Sequence, residues 1–138
     1  MKLKVVLSPG GVMPCRAHPN DAGLDIFAME GGWIFPKCRK TFRTGFHAAI
    51  PAGYVGLLTS KSGMMVKGST NRGTIDSGYI GEIRVVLFNH SWRIMRIKKG
   101  QKISQMVLLP IITPELEQVD SLEETDRGDN GFGSTGAF

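Results

Sequence analysis

Cysteine is scarce in this chain: Cys15 and Cys38 are the only two among 138 residues, and they show no metal-ligand spacing. With no secretion signal to suggest an oxidising compartment, both read as free thiols rather than a structural disulfide. Histidine is also sparse, and His18, His47 and His90 are too dispersed for a proton relay or a metal site, so they read as surface or loop residues. No apolar run approaches the ~20 residues of a membrane span. The stretch Met1–Leu7 carries two lysines and a few apolar residues, but Ser8-Pro9-Gly10-Gly11 ends it too early for a signal-peptide core. It reads instead as the first strand of an intracellular protein, cytoplasmic or nuclear. No window keeps apolar residues at helical spacing for three turns, and neither an internal repeat nor an interdomain linker is present.

The length fits one domain, large enough for a single core and too short for a separate substrate domain. Hydrophobic residues make up 41% and mean hydropathy is −0.05, the balance of a soluble globular protein. A formal charge of +5 favours an anionic partner, whether nucleic acid, a membrane surface or a polyphosphate, and does not choose among them. Basic residues cluster locally only at Arg93, Arg96, Lys98 and Lys99, which reads as a solvated face.

Eighteen glycines and seven prolines interrupt the chain every few residues, which indicates an all-β protein. The pattern predicts strands over 3–7, 24–28, 33–35, 41–49, 54–59, 80–89, 92–97 and 102–109, a spacing that suits a sandwich, jelly roll or barrel. Ile83–Phe88 and Met106–Leu109 are nearly continuous apolar runs, as expected of strands covered on both faces. In so small a domain the second cover could be another subunit. Trp33, Trp92 and the seven methionines are assigned to the core or to subunit contacts.

Several segments carry candidate chemistry. The tail Asp126–Phe138 has a mobile composition, yet it combines Arg127, Phe132 and a Gly133-Ser134-Thr135-Gly136 run whose backbone N–H groups could wrap an anion. It is not a Walker loop, because the Gly-Lys-Ser/Thr ending is missing. Gly73–Glu82 is turn-rich, and a hairpin there would project Asp76 and Tyr79 from its mouth. Phosphoryl-type hydrolysis needs a carboxylate to orient and deprotonate water, with fixed cations around the phosphate oxygens. Asp76 is the best-placed base candidate, although an Asp-Ser-Gly step is also an ordinary turn. Lys61-Ser62-Gly63 offers a hydroxyl and a backbone amide beside lysines, and Gly100–Met106 enters a buried strand with Gln105 facing a ligand or a strand neighbour. Asp21–Ile26 places two acids around an Ala-Gly step, which turn chemistry alone explains.

Taken in order, these segments resemble the five motifs of the trimeric dUTPase family, most like its retroviral and other viral members. Ala22–Ile26 is similar to the first motif, Lys61-Ser62-Gly63 to the second, Gly73–Asp76 through Tyr79 and Gly81 to the third, Gly100–Gln105 to the fourth and Arg127–Gly136 to the fifth. The resemblance implies a jelly-roll-like β barrel over 1–125 with a Gly-rich tail over 126–138. It further implies a homotrimer in which each tail closes a neighbour's site, and hydrolysis of dUTP to dUMP and pyrophosphate with Mg²⁺.

Carried over by motif, Asp76 is the general base and Tyr79 packs against the deoxyribose. Gly73 and Ile75 offer backbone to uracil, while Lys61, Ser62, Gly63, Gln105 and Arg127 hold phosphates. Ser134 and Thr135 sit at the γ end beside Gly133, Phe132 covers the base, and Asp25 meets the metal through water. No nucleic acid and no membrane is required. Lys61 and Lys102 stand where many members carry Arg, and the stretch between Ser62 and Asp76 is short, leaving the part played by Thr70, Asn71 and Arg72 open. The alternatives are a dCTP deaminase of the same fold and a non-catalytic binding module. Asp76, Tyr79 and the Phe132 tail favour the pyrophosphatase.

Overall fold

Burial alternates along the segments Phe46–Ala49, Tyr54–Thr59 and Val85–Asn89, giving each an inward and an outward face. A computed structural model describes residues 1–138 as β1 (Lys4–Leu7), β2 (Gly23–Phe27), β3 (Gly32–Ile34), β4 (Arg39–Phe42), β5 (Phe46–Ala49), β6 (Tyr54–Thr59), α1 (Ser62–Val66), β7 (Ser69–Thr70), β8 (Arg72–Ile75), β9 (Val85–Asn89), β10 (Met95–Ile97) and β11 (Lys102–Pro110). All pairings are antiparallel. A four-stranded sheet runs β2-β11-β6-β8, a three-stranded sheet β4-β9-β7, and two ribbons pair β1 with β5 and β3 with β10. Inward side chains from every sheet meet in one core: Ile26, Leu58 and Met106 from the first sheet, Phe42, Val85 and Leu87 from the second, and Ile34, Ile97 and Phe46 from the ribbons. This is the all-β arrangement that the strand pattern predicts, and it accords with the jelly-roll-like barrel that the family resemblance implies.

The predicted strand over 41–49 is in fact two. Gly45 takes φ +66°, a conformation that strongly favours glycine, and turns the chain from β4 in one sheet to β5 in a ribbon. Buried Thr44 fixes the bend by donating to Ile83 O and accepting from Phe46 N at 3.1 Å. The predicted 80–89 strand begins only at Val85, because Ile80–Arg84 runs as a loop tied to β5 by Ile83 N donating to Phe46 O. Apolar content alone could not show either break.

The continuous apolar runs are covered on one face more fully than the other within a single chain. Val85, Leu87 and Met106 are buried, whereas Phe88 and Leu109 remain exposed. Of the two places expected for the tryptophans, core or subunit contact, the structure excludes the first: Trp33 is 55% and Trp92 81% exposed. Cross-strand alternation explains Trp33, which faces out because its neighbour Ile34 faces in. Of the methionines, Met64 and Met106 are buried. Both cysteines are free and exposed, as expected. No helix is long and apolar enough to cross a membrane.

Candidate active site

Asp25, on β2, lies beside β11, whose Gln105 is its cross-strand partner. Its carboxylate is buried, yet each oxygen has a cation: Lys61 Nζ donates to Oδ1, and Lys102 Nζ lies 2.9 Å from Oδ2. Burial pushes the Asp25 carboxyl up, and the two ammonium groups more than reverse this, holding it below the ordinary aspartate value. The same contact raises Lys102 above the ordinary lysine value. The first, second and fourth sequence segments thus converge on one ionic junction. Lys61 also starts α1, so Ser62 and Gly63 follow as its first exposed turn. Gln105 donates to Ser60 O at 3.2 Å and lies against Gly23, which joins the junction to the β6 end.

Asp76 and Tyr79 stand at the end of β8, both exposed. Tyr79 N donates to Asp76 O across the turn, and Tyr79 Oη donates to Glu82 O at 2.7 Å. This bond lays the ring across Gly81 so closely that a Cβ there would come within 2.5 Å of the hydroxyl. Glycine is therefore required at 81 for the ring to lie flat. The hairpin expected over Gly73–Glu82 does not form, because β8 pairs with β6 while β9 pairs with β4 and β7 in another sheet; the segment is a strand end followed by a turn, which Glu82 anchors. Its carboxylate accepts from Gly45 N at 2.8 Å, from Arg43 Nε and from Arg84 Nε. Burial raises the Glu82 carboxyl, and these donors, Gly45 N first, bring it below the ordinary glutamate value.

Gly73 and Ile75 lie on β8, the outermost strand of its sheet, so one backbone edge there is unpaired within the chain. The cleft lined by Thr74, Asp76, Tyr79 and Arg84 encloses only about 280 Å³, below the roughly 300–1,000 Å³ of a complete small-molecule site. Asn71 is buried between β7 and β8, with Nδ2 donating to Ser104 Oγ, so it supports β8 and points away from solvent.

The tail meets neither cluster. Arg127 Nε donates to Asn130 O, the other hydrogen bonds from 127 to 138 stay within 125–136, and Phe132 is fully exposed at φ +46°. Arg127, Phe132, Gly133, Ser134 and Thr135 are all exposed on this arm. Glu82, Arg43 and Arg84 escaped the sequence reading. Glu82 lay inside a motif already singled out, and its acid–x–Arg spacing to Arg84 was the one signal available.

The strands and their pairing define an all-β protein of jelly-roll type, with its candidate site residues on separated segments and an unattached glycine-rich end. The dUTPase family model matches residues 10–136. The deoxyuridine 5'-triphosphate nucleotidohydrolase of Gloeothece citriformis is 40% identical, covering 99% of this chain and 97% of its own length. That of Clostridium kluyveri is 43% identical over 92% of each. Among solved structures, the dUTPase of Staphylococcus bacteriophage 80alpha with dUPNHPP superposes with a TM-score of 0.93 at 36% identity over 99% of both chains. A dUTPase from phage phi11 of S. aureus, described with a structural Mg(II) ion, gives 0.82 at 34% identity over 90% of this chain and all of its own. The chain belongs to the dUTPase family.

Proposed function

We propose that the chain is a dUTP diphosphatase, hydrolysing dUTP to dUMP and pyrophosphate. The observation that carries this reading is the end of β8 with the turn that follows it. It sets an exposed carboxylate, a ring pinned flat by Glu82 and an open backbone edge side by side. Asp76 takes a proton from water, the water oxygen bonds to the α-phosphorus, and the bond from that phosphorus to the bridging oxygen breaks, releasing pyrophosphate. Tyr79 forms a wall against the deoxyribose that leaves no room for a 2′-hydroxyl, while the backbone of Gly73 and Ile75 meets the uracil edge. The relatives named above support this assignment, and in the 80alpha enzyme an aspartate and a tyrosine three positions later have each been replaced in the presence of dUpNHpp.

Lys61, Ser62, Gly63 and Gln105 receive the phosphates. The junction provides a single carboxylate, and no trio of acidic, histidine or cysteine side chains comes together elsewhere. Such a donor set fits Mg²⁺ that arrives chelated by the triphosphate and keeps its waters, with Asp25 reaching it only through water as the lysines turn to phosphate. Bound there, the ion would neutralise phosphate charge.

The exposed arm supports a homotrimeric assembly. After Pro110 the chain forms no sheet, and Ile112, Leu116, Val119 and Leu122 stand in solvent. An apolar groove lined by Leu3, Val5, Met13, Leu24 and Leu108 lies beside the free edge of β1, ready for a neighbour's arm. The arm then carries residues 126–138 to that neighbour's site, where Arg127, Ser134 and Thr135 reach phosphates, Gly133 offers backbone and Phe132 covers the base. An intracellular location accords with this role.

The test is pyrophosphate release from a panel of nucleotides with Mg²⁺, for the native protein and Asp76→Asn. Release from dUTP alone, nearly abolished in the variant while binding persists, is expected. Equal rates in the two proteins would refute the base, and ammonia from dCTP without pyrophosphate would replace the reading with a deaminase.

A further inference from the structure

One surface takes no part in this chemistry. On the ribbon of β3 and β10, Trp33 and Arg96 are cross-strand partners facing outward, and the guanidinium carbon lies 5.4 Å from the indole centroid. In the adjoining turn, Lys37 Nζ sits 4.5 Å over the ring of Trp92. Gly31 and Gly32 leave a shallow depression of about 450 Å³ bounded by Trp33, Arg96, Lys98 and Lys99. Lys40 Nζ overhangs it, only 2.7 Å from where a Cβ on Gly32 would stand. Lys37, Lys40, Arg93, Arg96, Lys98 and Lys99 take no part in any ion pair of the chain, whereas Lys61, Lys102, Arg43 and Arg84 do.

The surface is rigid as well as basic. Buried Asn89 donates from Nδ2 to Ile34 O at 3.0 Å and to Arg93 O at 2.7 Å, and its Oδ1 accepts from Ser91 N and Oγ. The turn carrying Trp92 is thereby locked to the strand carrying Trp33. Two exposed indoles, each beside a cation and surrounded by further unneutralised cations, match the requirements of a chain of alternating phosphates and flat rings. Stacking on aromatics serves any base, and the cations follow the backbone. A second copy of the same face would be repelled by like charge, and an acidic peptide alone gives the tryptophans no role.

We propose that the outer face of the β3–β10 ribbon, with the turn at 89–93, binds single-stranded nucleic acid. Bases stack on Trp33 and Trp92, and phosphates lie on Lys40, Arg96, Lys98 and Lys99. This binding is separate from hydrolysis of the nucleotide. Both tryptophans of the chain are on this face, so intrinsic fluorescence reads the contact directly.

The assembled full-length protein is titrated at low salt with 20-nucleotide oligo(dT), oligo(rA) and a dT·dA duplex, with and without a saturating non-hydrolysable dUTP analogue. Quenching by either single strand, unaffected by the analogue and weaker for the duplex, is expected. The two single-strand arms show whether DNA or RNA is preferred. Trp33→Ala should weaken binding about 10-fold and Trp33→Phe should restore most of it, since each stacked base contributes substantially. Joint Arg96→Glu, Lys98→Glu and Lys99→Glu should abolish binding while leaving dUTP turnover unchanged. Absence of quenching, competition by the analogue, or equal affinity for the duplex would overturn the proposal. So would displacement of the oligonucleotide by a peptide of residues 113–126, which would make this face a receptor for an acidic protein segment. A changed oligomeric state of the charge-reversed protein would make it a subunit interface, with the same consequence.

Discussion

Replacing Asp25 by Asn tests the ionic junction most directly. The carboxylate side chain is 7% exposed and its Lys61 partner 25%, while Lys102 is more open to solvent. Removing one member of an enclosed pair costs about 3–5 kcal/mol, and an exposed pair contributes about 0–1 kcal/mol. Asp25 and Lys61 lie nearer the enclosed limit, but the lysine can relax towards water, which places the loss at ~2–3 kcal/mol. For a chain of this length each kcal/mol corresponds to ~3–5 °C, so the melting temperature should fall by roughly 6–15 °C. Melting is followed by circular dichroism at one protein concentration without nucleotide, because ligand and assembly both shift the midpoint.

The pH dependence supplies an internal control. The folded carboxyl titrates below its unfolded counterpart, so its contribution is fully present above the unfolded value near ~3.9 and is lost as pH falls through the folded one. Native protein should therefore lose stability on acidification below about pH 4 more steeply than the Asn variant does. Equal melting at neutral pH together with parallel acid slopes would show that the two lysines do not depend on this carboxylate.

Other substitutions probe the turn after β8 and the arm. Glu82→Gln removes the charge that gathers Gly45 N, Arg43 and Arg84, and should cost ~1–3 kcal/mol with a fall in kcat, checked by denaturant unfolding and steady-state kinetics. Because the folded Glu82 carboxyl is also depressed, this loss should shrink as pH falls through the acidic range. Tyr79→Phe gives up only the bond to Glu82 O, ~0.5–1.5 kcal/mol, whereas Tyr79→Ala should erode the preference for dUTP over UTP by ~10–100-fold in kcat/KM. Truncation before Arg127 should leave assembly and melting intact but reduce turnover by ~10²–10³-fold, and undiminished turnover would refute a catalytic role for the tail.

Fold class was legible in the sequence because glycine and proline spacing excludes long helices, and because β6 and β11 carry strong β-forming runs. What escaped notice was local or long-range. β8, with Gly73 and Thr74, has too little apolar content to show as a strand, yet it carries the candidate base at its end. The break at Gly45 depends on a hydroxyl from Thr44 reaching Ile83, a contact no short window contains. Asp76 and Tyr79 could be singled out because their motif is continuous in the chain. The junction of Asp25 with Lys61 and Lys102 could not, since three segments far apart in sequence must converge before the charges meet. For the tryptophans, core or subunit contact could not be separated in the sequence, because composition reports side-chain size and not the side of the ribbon on which it falls.

The arm beyond Pro110 bears on the life of a newly made chain. Its apolar side chains find no shelter in the body that precedes them, so an isolated subunit offers proteases an open, exposed thread. In the proposed assembly, dilution would expose the arm of each separated subunit to cleavage.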